Sequence, residues 1–135
     1  MLENIATPEA RDEFAEAMAK IPSALLHIVI GKGVREKDPN STETSVTPAW
    51  RKAVAHVALW SEVTEISQSA FTRFLEQAHE MINPLRDITP NSGAYWNEAD
   101  RFEPKWEESF WGLENYARLK QIKEKYDPEG MFRIW

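Results

Sequence analysis

The sequence contains no cysteine and only five glycines in 135 residues. Without cysteine there is neither a disulfide framework nor thiolate chemistry. The glycines form no GxGxxG, no P-loop and no GxSxG pattern, which removes the usual phosphate-cradling turns and the nucleophile elbow. So short a chain, this poor in glycine-rich turns, is expected to hold no dinucleotide by itself, and no resident cofactor is predicted. No apolar run approaches the ~18 residues of a membrane-spanning helix, so no membrane partner is expected. The start, Met1-Leu2-Glu3-Asn4, lacks the basic and apolar stretches of a secretory leader, which predicts a cytoplasmic location. Acidic residues outnumber basic ones, 22 to 16, for a net charge of -6. That balance does not draw phosphate backbones, so no nucleic-acid partner is expected.

What remains is ordinary for a globular chain: 42% hydrophobic and 28% charged residues. Length and content predict one domain over residues 1–135 with a real core. Six Trp, six Phe and three Tyr are many for this length, and such rings fill cores, interfaces or ligand pockets.

Periodicity predicts the elements. Thr7, Pro8 and Glu9 open a helix whose stripe is Phe14, Ala17, Met18 and Ile21. Ala24 to Ile30, closed by Gly31 and Gly33, reads as a largely buried strand. Residues 34–48 are polar and read as a loop. Trp50 to Trp60 reads as a second strand, with Val54, His56, Ala58 and Trp60 on one face and Ala53, Ala55, Val57 and Leu59 on the other. A second helix is predicted from Ser67 to Leu85, its buried stripe being Phe71, Phe74, Leu75, Ala78, Ile82 and Leu85, with Asn83-Pro84 placed to kink or end it. Ala94 to Asn97 reads as a third short strand. Helices then follow over Trp106–Trp111 and Leu113–Tyr126, the latter ended by Asp127-Pro128-Glu129-Gly130. The order predicts an α+β fold, a small antiparallel sheet of ferredoxin-like kind with helices on one face and the other face open.

The chemistry-bearing residues on the predicted strands are His27, His56, Trp60, Tyr95 and Asn97. On one open sheet face they would suit acid–base work on a polar, unsaturated small molecule. His27 or His56 would move protons, Tyr95 and Asn97 would polarise a carbonyl, and Trp60 would stack on a ring. Taken singly, each histidine reads first as an ordinary sheet residue, and each ring as interface filler; it is the whole set on an otherwise apolar face that asks for a function. Arg51 and Trp96 are further substrate-binding candidates. Glu98, Asp100, Arg101 and Glu103 read as a solvated loop before they read as catalytic carboxylates. His27, His56 and His79 lack metal-ligand spacing, so no metal is expected.

Several stretches carry a resemblance. Ser92 to Asp100 with Tyr95-x-Asn97, then Trp106, Phe110-Trp111-Gly112, Asn115 to Leu119, and Ile122 to Phe132 with Lys125-Tyr126-Asp127-Pro128, together resemble the C-terminal segment of berberine-bridge-enzyme-like flavoproteins. These are FAD-linked oxidoreductases of the vanillyl-alcohol-oxidase type. More weakly, His27 to Gly33 and Pro48-Ala49-Trp50-Arg51 are similar to strand segments of that family's substrate domain. The resemblance implies that Tyr95 and Asn97 lie near flavin and substrate. It also implies that flavin is held mainly by an N-terminal domain, which this sequence is expected to lack.

The leading expectation is a stand-alone, cofactor-free enzyme: a cyclase, isomerase or dehydratase acting on a small unsaturated natural-product intermediate. An open aromatic face asks for closure, which predicts a homodimer. The alternatives are the C-terminal part of a split or truncated FAD-dependent oxidoreductase, with FAD as cofactor, and a non-catalytic dimerisation or binding module.

Overall fold

A computed structural model describes residues 5–36, 43–59 and 64–133. In chain order the elements are α1 (Pro8–Ala19), β1 (Ala24–Ile28), α2 (Lys32–Arg35), α3 (Ala49–Lys52), β2 (Ala55–Leu59), α4 (Gln68–Ile88), a 3₁₀ turn (Trp96–Glu98), α5 (Trp106–Trp111) and α6 (Leu113–Tyr126). The fold class is α+β, with a small antiparallel sheet. Two compact units emerge: residues 1–31 with 52–92, and residues 32–51 with 93–135.

The first unit is built on capped helices. The Thr7 hydroxyl accepts the Ala10 N–H at 3.2 Å and opens α1. Ser67 does the same for Ala70 at 3.1 Å and opens α4. Each such cap satisfies a donor that the helix start cannot, a contribution of about 1 kcal/mol. The helix α4 runs through Pro84 to Ile88 rather than ending near Leu85. Its end is set at Thr89, whose N–H and hydroxyl both donate to the Leu85 carbonyl, at 3.0 and 2.6 Å.

The strands pair antiparallel with Ala24 opposite Leu59 and His27 opposite His56. The Val29 N–H extends the ladder to the Val54 carbonyl at 2.9 Å. A two-stranded ribbon is marginal by itself. This one is supported on one face, where β2 lends Val57 and Leu59 to a core of Ala17, Ile21 and Leu85. Phe14, Met18, Met81, Ile82 and Ile88 complete that core from α1 and α4.

Three sequence expectations need correction here. The strand over Ala24–Ile30 is shorter and is exposed along its whole length; Ile28 is 65% exposed. The core draws on β2 but on no residue of β1, so an apolar run alone did not bury it. The second strand starts at Ala55, because Thr47-Pro48 starts a helical turn at Ala49 instead: Thr47 Oγ1 accepts the Ala49 N–H at 3.4 Å. The third strand is absent: Tyr95 precedes a 3₁₀ turn over Trp96–Glu98. The described residues therefore hold two strands, fewer than a ferredoxin-like sheet has.

In the second unit α5 and α6 pack together. They meet at Gly112, whose φ of +79° is a conformation glycine adopts without strain. Phe110 and Asn115 are buried, as is Thr47. The Asn115 Nδ2 donates to the Val46 carbonyl at 3.2 Å, and the Ala94 N–H donates to the Ser109 carbonyl at 3.0 Å. These bonds hold the segments around Trp50 and Tyr95 against the helices of this unit.

Candidate functional site

Two groups of candidate residues are assembled, one in each unit. In the first, alternation along β2 sends Val57 and Leu59 to the helices and His56 to the opposite face. His27, directly across the ladder, shares that face. The two imidazole rings stand 5.9 Å apart, edge to face. His27 is exposed and His56 half-buried. The two histidines share one face of the ribbon, whereas Tyr95 and Asn97, expected on the same sheet face, lie on no strand. Trp60, the remaining member expected there, lies outside the described residues.

In the second unit, the Asn97 Nδ2 donates to the Tyr95 hydroxyl at 3.0 Å. Tyr95 is the extended residue ahead of the 3₁₀ turn and Asn97 lies within the turn, so the bond ties the turn to its own cap. The Trp50 ring stands edge-on to Tyr95 at 6.0 Å. The Asn97 amide thus holds the Tyr95 hydroxyl, a group able both to accept and to donate, beside an indole. That arrangement suits a carbonyl or phenolic oxygen attached to a planar ring.

The other candidates serve the local architecture. Arg51 donates from Nη2 to the Thr44 hydroxyl at 3.4 Å. Trp96 packs against Phe110 at 5.1 Å and Trp111 at 5.9 Å. Asp100 Oδ1 accepts the Phe102 N–H at 2.9 Å, and Glu103 Oε1 accepts the Ser109 hydroxyl at 2.9 Å. Both acids thus organise the loop leading into α5. Among the described residues no group of three or more His, Asp or Glu converges as a metal site.

One carboxylate not among the candidates above, Asp127, holds the end of α6. Asp127 Oδ1 accepts the Met131 N–H at 2.8 Å, and Oδ2 accepts the Phe132 N–H at 3.0 Å. Lys123 donates to the same carboxylate and, at 2.6 Å, to the Phe132 carbonyl. The Lys123 hydrogen bond holds the Asp127 carboxyl below its usual range; burial opposes it, and the two backbone N–H groups assist. The signal was present in Lys125-Tyr126-Asp127-Pro128: an acid directly after a helix and before proline and glycine is placed to close a turn.

Residues 94–134 match the family described as "Berberine and berberine like". The C-terminal segment is therefore of the berberine-bridge-like kind, as its Tyr-x-Asn and Lys-Tyr-Asp-Pro stretches suggested. The similarity extends upstream. An FAD-linked oxidoreductase of Pyricularia oryzae is 39% identical over 98 residues, covering 67% of this chain and 16% of that protein. A VAO-type flavoprotein oxidase of Thermothelomyces thermophilus is 37% identical over 95 residues, again 67% of this chain and 16% of the relative. A bifunctional decalin synthase of Penicillium decumbens is 41% identical over 96 residues, with the same coverage. The chain thus spans about a sixth of the length of these relatives. No solved structure matches.

The relatives imply FAD, and the residues present fit one part of it. Tyr95, Asn97 and Trp50 are the donor and ring types that meet a flavin ring or the substrate beside it. A glycine-rich turn feeding a helix N-terminus, which would hold the pyrophosphate, has no counterpart in the sequence.

Proposed function

We propose that this chain acts as the C-terminal, substrate-side part of an FAD-linked oxidoreductase. The observation that supports this reading most directly is the Asn97–Tyr95 hydrogen bond, inside the segment that matches the berberine-like family. Bound FAD would supply two-electron oxidation. The chain's own residues would bind and orient a small planar substrate: Trp50 flanks the ring, and the Tyr95 hydroxyl donates to an oxygen whose negative charge grows during reaction. Asn97 fixes the orientation of that hydroxyl.

A second reading is favoured by the histidine pair on the sheet face turned away from the core and by the relative named a bifunctional decalin synthase. On it the chain works without a cofactor, as a homodimer, and cyclises, isomerises or dehydrates a small unsaturated natural-product intermediate. His27 or His56 is then the acid or base.

An absorbance spectrum of the purified protein, taken with its mass by light scattering, separates the two. A flavin band, from the chain itself or from a co-purifying partner that holds FAD, supports the oxidoreductase part. A colourless dimer that converts substrate, and loses this on His27→Ala or His56→Ala, supports the cofactor-free enzyme. On the first reading Tyr95→Phe lowers turnover about 10²-fold, the usual cost of one donor to a developing oxyanion, with the fold unchanged. Turnover that survives Tyr95→Phe, His27→Ala and His56→Ala would sink both readings, and a parent chain with no turnover, with or without FAD, would leave a binding or dimerisation module.

A further inference from the structure

We propose that His27 and His56 form a two-point chelate for a late first-row divalent metal ion. Nothing in the separation of the two histidines along the sequence suggests this; the ladder register creates it. Residues directly opposite in an antiparallel pair carry Cβ atoms about 4.5–5.5 Å apart and share a face. Here the shared face is the one turned away from the core of α1 and α4, with His27 exposed on it and His56 half-buried.

The ring geometry is close to what the chemistry needs. Two imidazoles sharing one ion at about 2.0–2.1 Å from each nitrogen have ring centres roughly 4.5–5.2 Å apart; these stand 5.9 Å apart, a gap that rotation of the exposed His27 side chain closes. Imidazole nitrogen suits copper, nickel and zinc and does not suit magnesium or calcium. Each ring has two nitrogens, so one can ligate while the other keeps a hydrogen bond, the usual state of a metal-bound histidine. Both backbones are held in place: His27 and His56 lie in the paired ladder, and the neighbour of His56, Val57, packs into the core. Once one ring has bound, the second is therefore already at high effective concentration. With two protein ligands the remaining coordination positions are left for water or for an oxygen or nitrogen of a small molecule. The sheet would thus offer a shallow, exchangeable site rather than a structural one.

The test uses the purified full chain and Cu²⁺, the tightest of the series for such ligands. Calorimetric titration is expected to show one ion per chain. His27→Ala and His56→Ala should each weaken binding about tenfold or more, the loss expected when a chelate becomes a single ligand. His79→Ala, on α4, should leave it unchanged. In case a variant fails to fold, the unmodified protein gives an independent readout. Sub-stoichiometric Cu²⁺ should broaden the ring signals of His27 and His56 together in its NMR spectrum, before those of His79. Equal broadening of all three histidines, or a His27→Ala/His56→Ala protein that binds like the parent, overturns the proposal.

Discussion

The side-chain amide of Asn115 donates to the backbone carbonyl of Val46 at 3.2 Å, tying the first turn of α6 to a point 69 residues earlier. Asn115 is only 5% exposed. The bond fixes the entry to Thr47-Pro48, and so the start of α3, which carries Trp50.

Removing that amide should be costly. Asn115→Leu keeps the branched shape and heavy-atom count but removes the donor to the partly buried Val46 carbonyl. The expected loss is about 1–3 kcal/mol, the penalty for stranding one partner of a buried hydrogen bond. Urea denaturation checks it. A leucine variant as stable as the parent would mean that solvent serves the carbonyl equally well, and the tether would then have no structural role.

Two glycines should respond oppositely to a methyl group. At Gly93 an added Cβ would lie 2.8 Å from the Ser109 carbonyl oxygen and 2.9 Å from the Ala49 Cβ. The first of these is backbone and cannot swing aside. Gly93→Ala is expected to destabilise by about 1–3 kcal/mol, as overpacking does. At Gly33, in the short α2, nothing lies within 4 Å of the added Cβ. Gly33→Ala should be neutral or stabilise by up to about 1 kcal/mol, because alanine loses less backbone entropy in a helix. Thermal melts of the two variants side by side decide the point; equal melting temperatures would contradict it.

The difference between what the sequence disclosed and what it hid is local. Helix α6 was legible to the residue because its ends are chemical: Gly112 takes a positive φ and Asp127-Pro128 stops the repeat. Thr7 and Ser67 announced α1 and α4 for the same reason. The start at Ala49 was equally announced, by Thr47 as cap and Pro48 behind it. The apolar alternation that follows masked it. Ala94–Asn97 was misread because four residues are too few to distinguish a strand from a turn. Ring packing of Trp96 on Phe110 and Trp111 accompanies the turn that forms there. The pairing of His27 with His56 was not legible at all, since register depends on which residues of two distant strands meet.

The carboxylate of Asp127 should make stability depend on acid in one direction. Its pKa is lowered in the folded chain, chiefly by the hydrogen bond from Lys123, with the Phe132 and Met131 N–H groups assisting against burial. A depressed carboxyl stabilises the fold fully above its unfolded pKa, near 3.9. As pH falls below that value the unfolded chain takes up the proton first, and the contribution shrinks. It is gone once the pH passes below the folded pKa. Asp127→Asn keeps the shape and one acceptor oxygen but removes the charge that Lys123 meets. The variant should therefore be less stable than the parent at neutral pH. Its stability should also fall less steeply below about pH 5, where the parent's paired carboxylate is being titrated. Denaturation midpoints collected from neutral pH down to about pH 2 test both parts. Parallel profiles for parent and variant would show that the Lys123–Asp127 pair contributes nothing to the fold, and that the turn into Met131 and Phe132 is held by its backbone alone.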